Sequence, residues 1–283
     1  MSISLSTLGA ALRLALVGAL FTVAAGAHTA RAEDAASPEV IKSAPEQAAA
    51  TPTVAAAASL RYALDEIAKR YEKDTGKSVN ITYGATGTLV HQIEAGAPFQ
   101  ALFAADDESV KKLAKAGKTD GEPVIFARGE LSIAAPKGSP VSIDADLKGL
   151  EAALAAGMVK HVAIANPETA PYGRAAQQSL KKAGLWEQVQ PLLVIGENIG
   201  QTAAFVSTGA AEVGFIAKSL AISKEIAPKI DAAIVPGTWH EPIDHGMAVI
   251  KDASPDAKAF ADFVRGPQGR EVLEASRFAV PTS

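Results

Sequence analysis

Residues 53–73, TVAAAASLRYALDEIAKRYEK, pass from a short strand of small residues directly into a helix. The strand is predicted over Thr53–Ala57 and the helix over residues 59–73. The apolar residues of the helix recur at helical spacing, which gives it one buried face: Leu60, Leu64, Ile67 and Tyr71. Ser59 is a favourable N-cap, and Gly76 follows the helix as glycine commonly does. A strand therefore leads into an amphipathic helix through a small polar junction.

This order of strand, junction and helix recurs along the chain. Further strands are predicted at residues 79–83, 101–104, 131–135, 162–165, 192–195, 213–216, 232–235 and 247–250. Further helices are predicted at residues 89–95, 109–116, 150–156, 173–182, 202–207 and 255–265. Such alternation predicts an α/β fold with mostly parallel sheets flanked by helices. Ligands of these folds lie at the carboxyl ends of strands, where the helices begin.

Four of the junctions are chemically alike, since each places small or hydroxyl residues before a helix. They are residues 58–59, 85–88, 171–173 and 197–200. A helix N-terminus has unpaired N–H groups and a partial positive charge, and it binds anions without a basic side chain. The junctions offer neutral donors and one carboxylate, Glu197. This inventory suits a fully ionised tetrahedral oxyanion and disfavours phosphate, which keeps a proton near neutral pH.

The composition limits the remaining classes of function. The chain has no cysteine, so disulfides and thiolate chemistry are excluded. Residues 1–32 resemble a signal peptide: Arg13, an apolar run of 14 residues at 14–27, and an Ala30-Arg31-Ala32 cleavage pattern. Without this segment the net charge falls from −4 to −6, which disfavours nucleic acid as a partner. Residues 33–50, rich in Ala, Pro and Glu, are interpreted as a flexible lead.

Several strings resemble the periplasmic molybdate-binding proteins of ABC importers, the ModA family. They are AAASL at 56–60, YGATGTL at 83–89, QIEAGAP at 92–98, FAAD at 103–106, NPETAPYG at 166–173, GENIGQT at 196–202 and FVRGPQG at 263–269. The resemblance covers about residues 51–280. It implies a two-lobed, type II periplasmic binding fold with the oxyanion in the cleft between lobes. By that resemblance lobe one is 51–130 plus 237–283, and lobe two is 131–236.

The resemblance also implies which residues hold the anion. Ser59 and Thr86 would give a hydroxyl and an N–H from lobe one, and Tyr172 and Ile199 would give backbone N–H groups from lobe two. Additional backbone donors are expected at three neighbouring positions: Ala58, Gly87 and Gly173. Some family members add a tyrosine hydroxyl at the position that is Ala217 here, so that contact is missing.

The resemblance implies a monomeric periplasmic protein that delivers molybdate or tungstate to the membrane permease of an ABC importer. No cofactor is expected, no metal beyond that of the oxyanion itself, and no catalysis. Two alternatives stay open at this point: a binding protein for another oxyanion such as sulfate, and a secreted serine hydrolase that uses Ser59.

Two sets of charged or titratable residues are interpreted as bystanders. In the segment HEPIDH at 240–245 the histidines are five residues apart with Pro242 between them, whereas a zinc-protease motif needs two histidines one helical turn apart. We expect a turn here, and we expect His240 and His245 to play no part in binding. His91 is interpreted as part of a solvated helix face, and Arg61 and Arg174 as charges that are either solvated or next to the site without touching the anion.

Overall fold

The computed structural model describes residues 51–281. The predicted signal peptide (1–32) and lead (33–50) lie outside these residues, so both stay predictions. Within residues 51–281, no helix is long and apolar enough to cross a bilayer.

Ten strands of the described chain form two five-stranded sheets. The first sheet has the order β2-β1-β3-β10-β4, and the second has the order β7-β6-β8-β5-β9. The strands are β1 Thr53–Ala57, β2 Asn80–Gly84, β3 Ala101–Phe103, β4 Val124–Gly129, β5 Leu131–Pro136, β6 Val162–Ala165, β7 Leu193–Gly196, β8 Val213–Ala217, β9 Ile230–Ile234 and β10 Ile243–Val249.

Ten α-helices accompany these strands in the described residues. They are α1 Arg61–Thr75, α2 Thr86–Glu94, α3 Asp107–Lys115, α4 Lys148–Ala155, α5 Pro171–Lys182, α6 Trp186–Val189, α7 Ile199–Ser207, α8 Lys218–Ala221, α9 Pro255–Arg265 and α10 Pro267–Ala275. A 3-10 turn, Ala58–Leu60, stands between β1 and α1.

The predicted α/β class is confirmed, and each sheet is mixed, with four strands running in one direction and a single strand, β10 or β5, running against them. β1 pairs in parallel with β2 and β3, whereas β10 runs antiparallel to β3 and β4. In the second sheet β6 is parallel to β7 and β8, while β5 is antiparallel to β8 and β9. The parallel strands supply the strand-to-helix junctions, so their carboxyl ends meet at one edge of each sheet.

The central strands are buried on both faces because helices cover them. In β1, Val54–Ala57 is buried throughout. The ring of Tyr71 on α1 packs edge-on against Phe260 and Phe263 of α9, with ring centroids 5.3 Å apart in each pair. Such aromatic pairs are worth about 0.5–1.5 kcal/mol each beyond the area they bury. They hold helix α9 against helix α1.

The first sheet takes its strands from residues 53–129 and 243–249, and the second from residues 131–234. Only Glu130 separates β4 of the first sheet from β5 of the second. The lobe boundaries given above, 51–130 plus 237–283 and 131–236, stay predictions.

Candidate functional site

The four junctions come together around one small cavity. Two of them follow β1 and β2 of the first sheet, and two follow β6 and β7 of the second. The cavity is lined by Ala57, Ala58, Ser59, Gly84, Ala85, Thr86, Ala105, Ala170, Pro171, Tyr172 and Ile199. The four principal residues that the sequence singled out, Ser59, Thr86, Tyr172 and Ile199, are all in this set and all buried.

The lining of this cavity is neutral. Among the described residues that line it, none carries a carboxylate, an amine or a guanidinium. Helix starts supply the polarity instead, because the first N–H groups of a helix have no partner inside it. α2, α5 and α7 begin at Thr86, Pro171 and Ile199, so three helix N-termini meet here in addition to the 3-10 turn at Ala58–Leu60.

The hydroxyl group of Thr86 can donate its hydrogen into the cavity. Its Oγ1 accepts a hydrogen bond of 2.9 Å from the backbone N–H of Ala105, and the whole residue is inaccessible to solvent. A hydroxyl that accepts through a lone pair can still donate its own hydrogen. The Ala105 bond therefore orients Thr86 as a donor.

At the start of α7, Asn198 selects which N–H group stays available. Its side-chain oxygen accepts from the N–H groups of Gly200 and Gln201, at 2.9 and 3.1 Å. The N–H of Ile199 is not among those it caps, and Ile199 lines the cavity. The side-chain cap of α7 therefore leaves the N–H of Ile199, the predicted backbone donor, available to a ligand.

The prediction that Ser59 is an N-cap was wrong. Ser59 lies inside the 3-10 turn, and neither that turn nor α1 has a side-chain cap bond. Its Oγ lies instead 3.1 Å from Nε2 of His245, and its carbonyl oxygen accepts a 2.8 Å bond from Ser219 Oγ of α8. Contacts from β10 of the first sheet and from α8, the helix that follows β8 of the second sheet, therefore fix the position of Ser59.

The Tyr172 side chain makes contacts that were not predicted from the sequence. The ring packs edge-on to His245 with centroids 6.0 Å apart, and the phenol is buried without a hydrogen-bond partner. Burial raises the pKa of this phenol, with a smaller lowering from the neighbouring Ser59 hydroxyl, so the group is neutral. Gly129 makes room for it, because a Cβ there would lie 2.0 Å from the phenol oxygen.

Two of the three additional backbone donors are already used. The N–H of Gly87 donates to the carbonyl of Thr169 at 2.8 Å, and that of Gly173 donates to Ala170 at 2.9 Å. We therefore leave Gly87 and Gly173 out of the proposed site, while Ala58 lines the cavity as expected. The Gly87 bond instead joins the junction after β2 to the loop after β6.

The turn expected at residues 240–245 ends before His245, which lies inside strand β10 instead. His245 is fully buried there, and burial lowers the pKa of its imidazole to about 4. The segment pattern could not reveal this, because its partner Ser59 is 186 residues away in the chain. One weak signal was available: His245 lies two residues before the strand predicted at 247–250, and residues 245–248 are buried throughout.

The charged or titratable residues Arg174, Arg61 and His91 do not line the cavity. Arg174 lies next to the site, and its Nη2 lies 2.8 Å from Asp106 Oδ2. Arg61 does lie exposed, with its guanidinium 4.4 Å above the ring of Tyr83. His91 lies exposed beside Glu94, as expected for a solvated face.

Residues 52–278 match the family model of bacterial extracellular solute-binding proteins. The chain is 40% identical over 231 residues to the molybdate-binding protein ModA of Azotobacter vinelandii, with 80% of this chain and 89% of that protein covered. It is 34% identical to ModA of Rhodobacter capsulatus, with 80% and 87% covered.

Solved structures show the same architecture. The periplasmic molybdate-binding protein of Azotobacter vinelandii superposes with a TM-score of 0.74 at 30% identity, over 82% of this chain and all of that one. The sulfate-binding protein SubI of Mycobacterium tuberculosis superposes with a TM-score of 0.65 at 17% identity, over 81% and 86%. The second likeness is one of fold alone.

Proposed function

The chain belongs to the bacterial extracellular solute-binding proteins, in the group of the ModA molybdate-binding proteins, and on that premise we propose that its cavity captures molybdate. It is a solute-binding protein and not an enzyme. The captured anion is handed to the membrane permease of an ABC importer. Tungstate, which is also a dianionic tetrahedron of nearly the same size, is taken by the same site.

One observation carries this proposal: the neutral, donor-rich cavity formed jointly by junctions of both sheets. Helix N-termini stabilise an anion through their free N–H groups and dipoles. A cavity with donors and without a carboxylate favours an oxyanion that has lost all its protons. Because the donors come from both sheets, the anion joins the two halves of the molecule when it binds.

Four residues hold the anion in this proposal. Thr86 gives its hydroxyl and N–H, Ser59 its hydroxyl and N–H, and Tyr172 and Ile199 their backbone N–H groups. The burial of all four supports their roles, since hydrogen bonds to a charged group strengthen in a water-poor environment. Ala58 is an additional backbone donor.

The serine hydrolase alternative meets one geometric requirement and fails others. Ser59 and His245 have the 3.1 Å separation of a serine nucleophile and its base. However, His245 Nδ1 faces the backbone carbonyl of Ile243 rather than a carboxylate, and Ser59 is 1% exposed. The relatives at 40% and 34% identity are solute-binding proteins, which agrees with a binding role for Ser59.

The proposal extends to location and assembly. Residues 1–32 direct the chain to the periplasm and are removed there, and the mature protein acts as a monomer. It needs no cofactor and binds no nucleic acid. The excess of acidic over basic residues agrees with the last point.

Titration calorimetry with molybdate, tungstate, sulfate and phosphate tests the proposal. We expect tight binding of molybdate and tungstate and much weaker binding of sulfate and phosphate. Equal or tighter binding of sulfate would replace molybdate with the alternative oxyanion. Turnover of a generic ester, lost in Ser59→Ala, would contradict the binding role altogether.

A further inference from the structure

His245 is a fully buried polar residue to which the proposed oxyanion site so far assigns no role. Its Nε2 lies 3.1 Å from Ser59 Oγ, and its Nδ1 lies 3.1 Å from the carbonyl oxygen of Ile243. Aromatic rings enclose the imidazole edge-on, with centroids 5.0–6.3 Å away: Phe126, Tyr172 and Phe278. The residue thus stands directly behind a proposed anion-binding hydroxyl.

The two neighbours fix where the protons of the imidazole are. A carbonyl oxygen only accepts, so Nδ1 carries a hydrogen and donates it to Ile243. A neutral imidazole has one N–H, which leaves Nε2 as an acceptor. Burial lowers the pKa of His245 to about 4, so the ring is neutral near pH 7 in the anion-free protein. Ser59 then donates its hydroxyl proton to Nε2.

This arrangement conflicts with anion binding. The Ser59 hydroxyl has one hydrogen, and while Nε2 takes it, only lone pairs of Oγ face the cavity. If the hydroxyl turns toward the anion instead, Nε2 becomes a buried acceptor without a donor, which is unfavourable. A second proton on the ring removes the conflict: Nε2–H donates to Ser59 Oγ, and Ser59 donates into the cavity.

We propose that His245 is a positioning residue of the oxyanion site, and that each dianion captured brings one solvent proton onto Nε2. The inference rests on the proposed function. The imidazolium then lies behind Ser59 with its positive charge toward the dianion, and nearby opposite charges favour each other's charged forms. By linkage, the proton strengthens anion binding to the same extent as the anion strengthens proton binding.

The other charged groups near His245 are already paired, so they do not by themselves hold a proton on the imidazole. Asp106 and Asp244 act on the ring through space and raise its pKa, although less than burial lowers it. Each is neutralised by an arginine: Arg174 lies 2.8 Å from Asp106, and Arg128 lies 3.0 Å from Asp244. The Tyr172 phenol facing the ring is neutral. The dianion in the cavity would therefore be the one uncompensated charge beside the imidazole among the described groups.

Calorimetry with molybdate in two buffers of different ionisation enthalpy tests this inference on the native protein. With one proton taken up, the observed enthalpies differ by the difference between the buffer enthalpies. Between the pKa of His245 in the free protein and its higher pKa in the complex, the apparent affinity falls by up to tenfold for each unit that the pH rises, and above that window it is constant. Equal enthalpies in both buffers, with molybdate bound, overturn the inference and leave the proposed function intact. No molybdate heat at all overturns both.

A variant assigns the proton to this residue. In His245→Gln the side-chain amide can donate an N–H to Ser59 Oγ without taking up a proton. We expect this variant to bind molybdate with no buffer dependence, whereas His91→Gln, which changes an exposed histidine, keeps the full dependence. Undiminished proton uptake by His245→Gln overturns the inference, because the proton would then be elsewhere, for example on the anion.

Should His245→Gln fail to fold, nitrogen NMR of the native imidazoles decides the question. The Nε2 signal of His245 is expected to move from the position of a bare ring nitrogen to that of a protonated one when molybdate is added. An Nε2 that stays bare in the saturated complex overturns the inference. A purely structural role of His245 predicts no such shift.

Discussion

Arg174 Nη2 lies 2.8 Å from Asp106 Oδ2, and this ion pair joins helix α5 beside the second sheet to the start of α3 beside the first. Asp106 is at the same time the N-cap of α3, since its other oxygen accepts from the N–H of Ser109 at 2.9 Å. A side chain of the first half is thus prepositioned by its own helix to receive an arginine from the second half. The pair forms only while the two halves are together.

Arg174→Gln should weaken molybdate binding mildly by removing this link. The pair is partly solvated, with Arg174 39% and Asp106 15% exposed. Such a pair is worth about 0.2–1 kcal/mol, or up to roughly fivefold in dissociation constant. Lys111→Gln is the matched control, because it removes the pair of Lys111 with Asp107 within α3 alone. Titration calorimetry of both variants measures the difference, and an equal loss in both would contradict a bridging role.

Ser59→Ala and Thr86→Ala should each weaken molybdate binding strongly. A hydrogen bond to a charged group contributes about 1.5–3 kcal/mol, or roughly 10–100-fold in dissociation constant. Thr86→Ala also leaves the N–H of Ala105 without its acceptor, so Thr86→Ser, which keeps the hydroxyl, separates the two effects. Thr208→Ala, at an exposed position, is the neutral control. Native-like calorimetric affinity in both alanine variants would show that the site is elsewhere.

Gly129→Ala should disturb the molecule where Tyr172 approaches the first sheet. An alanine Cβ would lie 2.0 Å from the Tyr172 phenol oxygen and 2.9 Å from Cε1 of His245. Overpacking of this kind costs about 1–3 kcal/mol, and it displaces a residue of the proposed site. We expect a lower melting temperature and weaker molybdate binding.

Gly237→Ala is the control for that prediction, because a Cβ there meets no atom within 4 Å. The double variant Gly129→Ala, Tyr172→Phe should recover part of the lost stability, since it removes the colliding oxygen. Thermal melts of the four proteins decide the matter. No recovery in the double variant would place the strain elsewhere.

Molybdate and tungstate should raise the melting temperature strongly, and sulfate weakly. A ligand that binds only the folded state stabilises it by about 4 kcal/mol at a thousandfold excess over its dissociation constant. Sulfate is a smaller tetrahedron, which cannot reach donors from both halves at good hydrogen-bond distance. The radius of gyration from X-ray scattering should shrink with molybdate only. Equal thermal shifts for sulfate and molybdate would refute the assignment of the anion but not the fold.

Without an anion the protein should lose stability as the pH falls from about 6.5 to about 4, the ordinary and folded-state pKa values of His245. In this window the unfolded chain binds a proton that the buried imidazole does not, so protonation favours unfolding. The full effect is about 3 kcal/mol. Denaturant titrations across the window should show a steeper fall for the native protein than for His245→Gln. Parallel curves would mean that folding does not lower the pKa of His245.

The strand-to-helix junctions could be predicted from the sequence because their signals are local. Small residues before an amphipathic period place a helix start within a few positions, and α2, α5 and α7 indeed begin there. The helix α10 was missed, although Gly266 followed by Pro267 is a pair that favours a helix start. Strand β4 was missed because its apolar run, residues 124–127, is only four residues long and is followed by Arg128 and Gly129.

The hydrogen-bond partners at the site could not be predicted in the same way. Serine is a residue type that favours N-caps, yet the hydroxyl of Ser59 forms a hydrogen bond with His245, which lies far along the chain. Gly87 and Gly173 lie near predicted helix starts, where N–H groups commonly lack a partner. In the structure, however, the carbonyl oxygens of Thr169 and Ala170 accept hydrogen bonds from them. A donor is available to a ligand only when no closer acceptor competes for it, and that depends on every neighbour in space.

The sequence by itself determined the α/β class, the positions of the helix starts and the uncharged character of the junctions, because these depend on periodicity and composition over a few residues. The tertiary structure alone decided the antiparallel direction of β10, the cross-sheet pair of Arg174 with Asp106 and the place of His245 behind Ser59. The reason is physical: strand order and packing bring together residues whose separation along the chain carries no periodic signal. Local patterns specify which groups a segment can offer, and the packed fold specifies which of them meet.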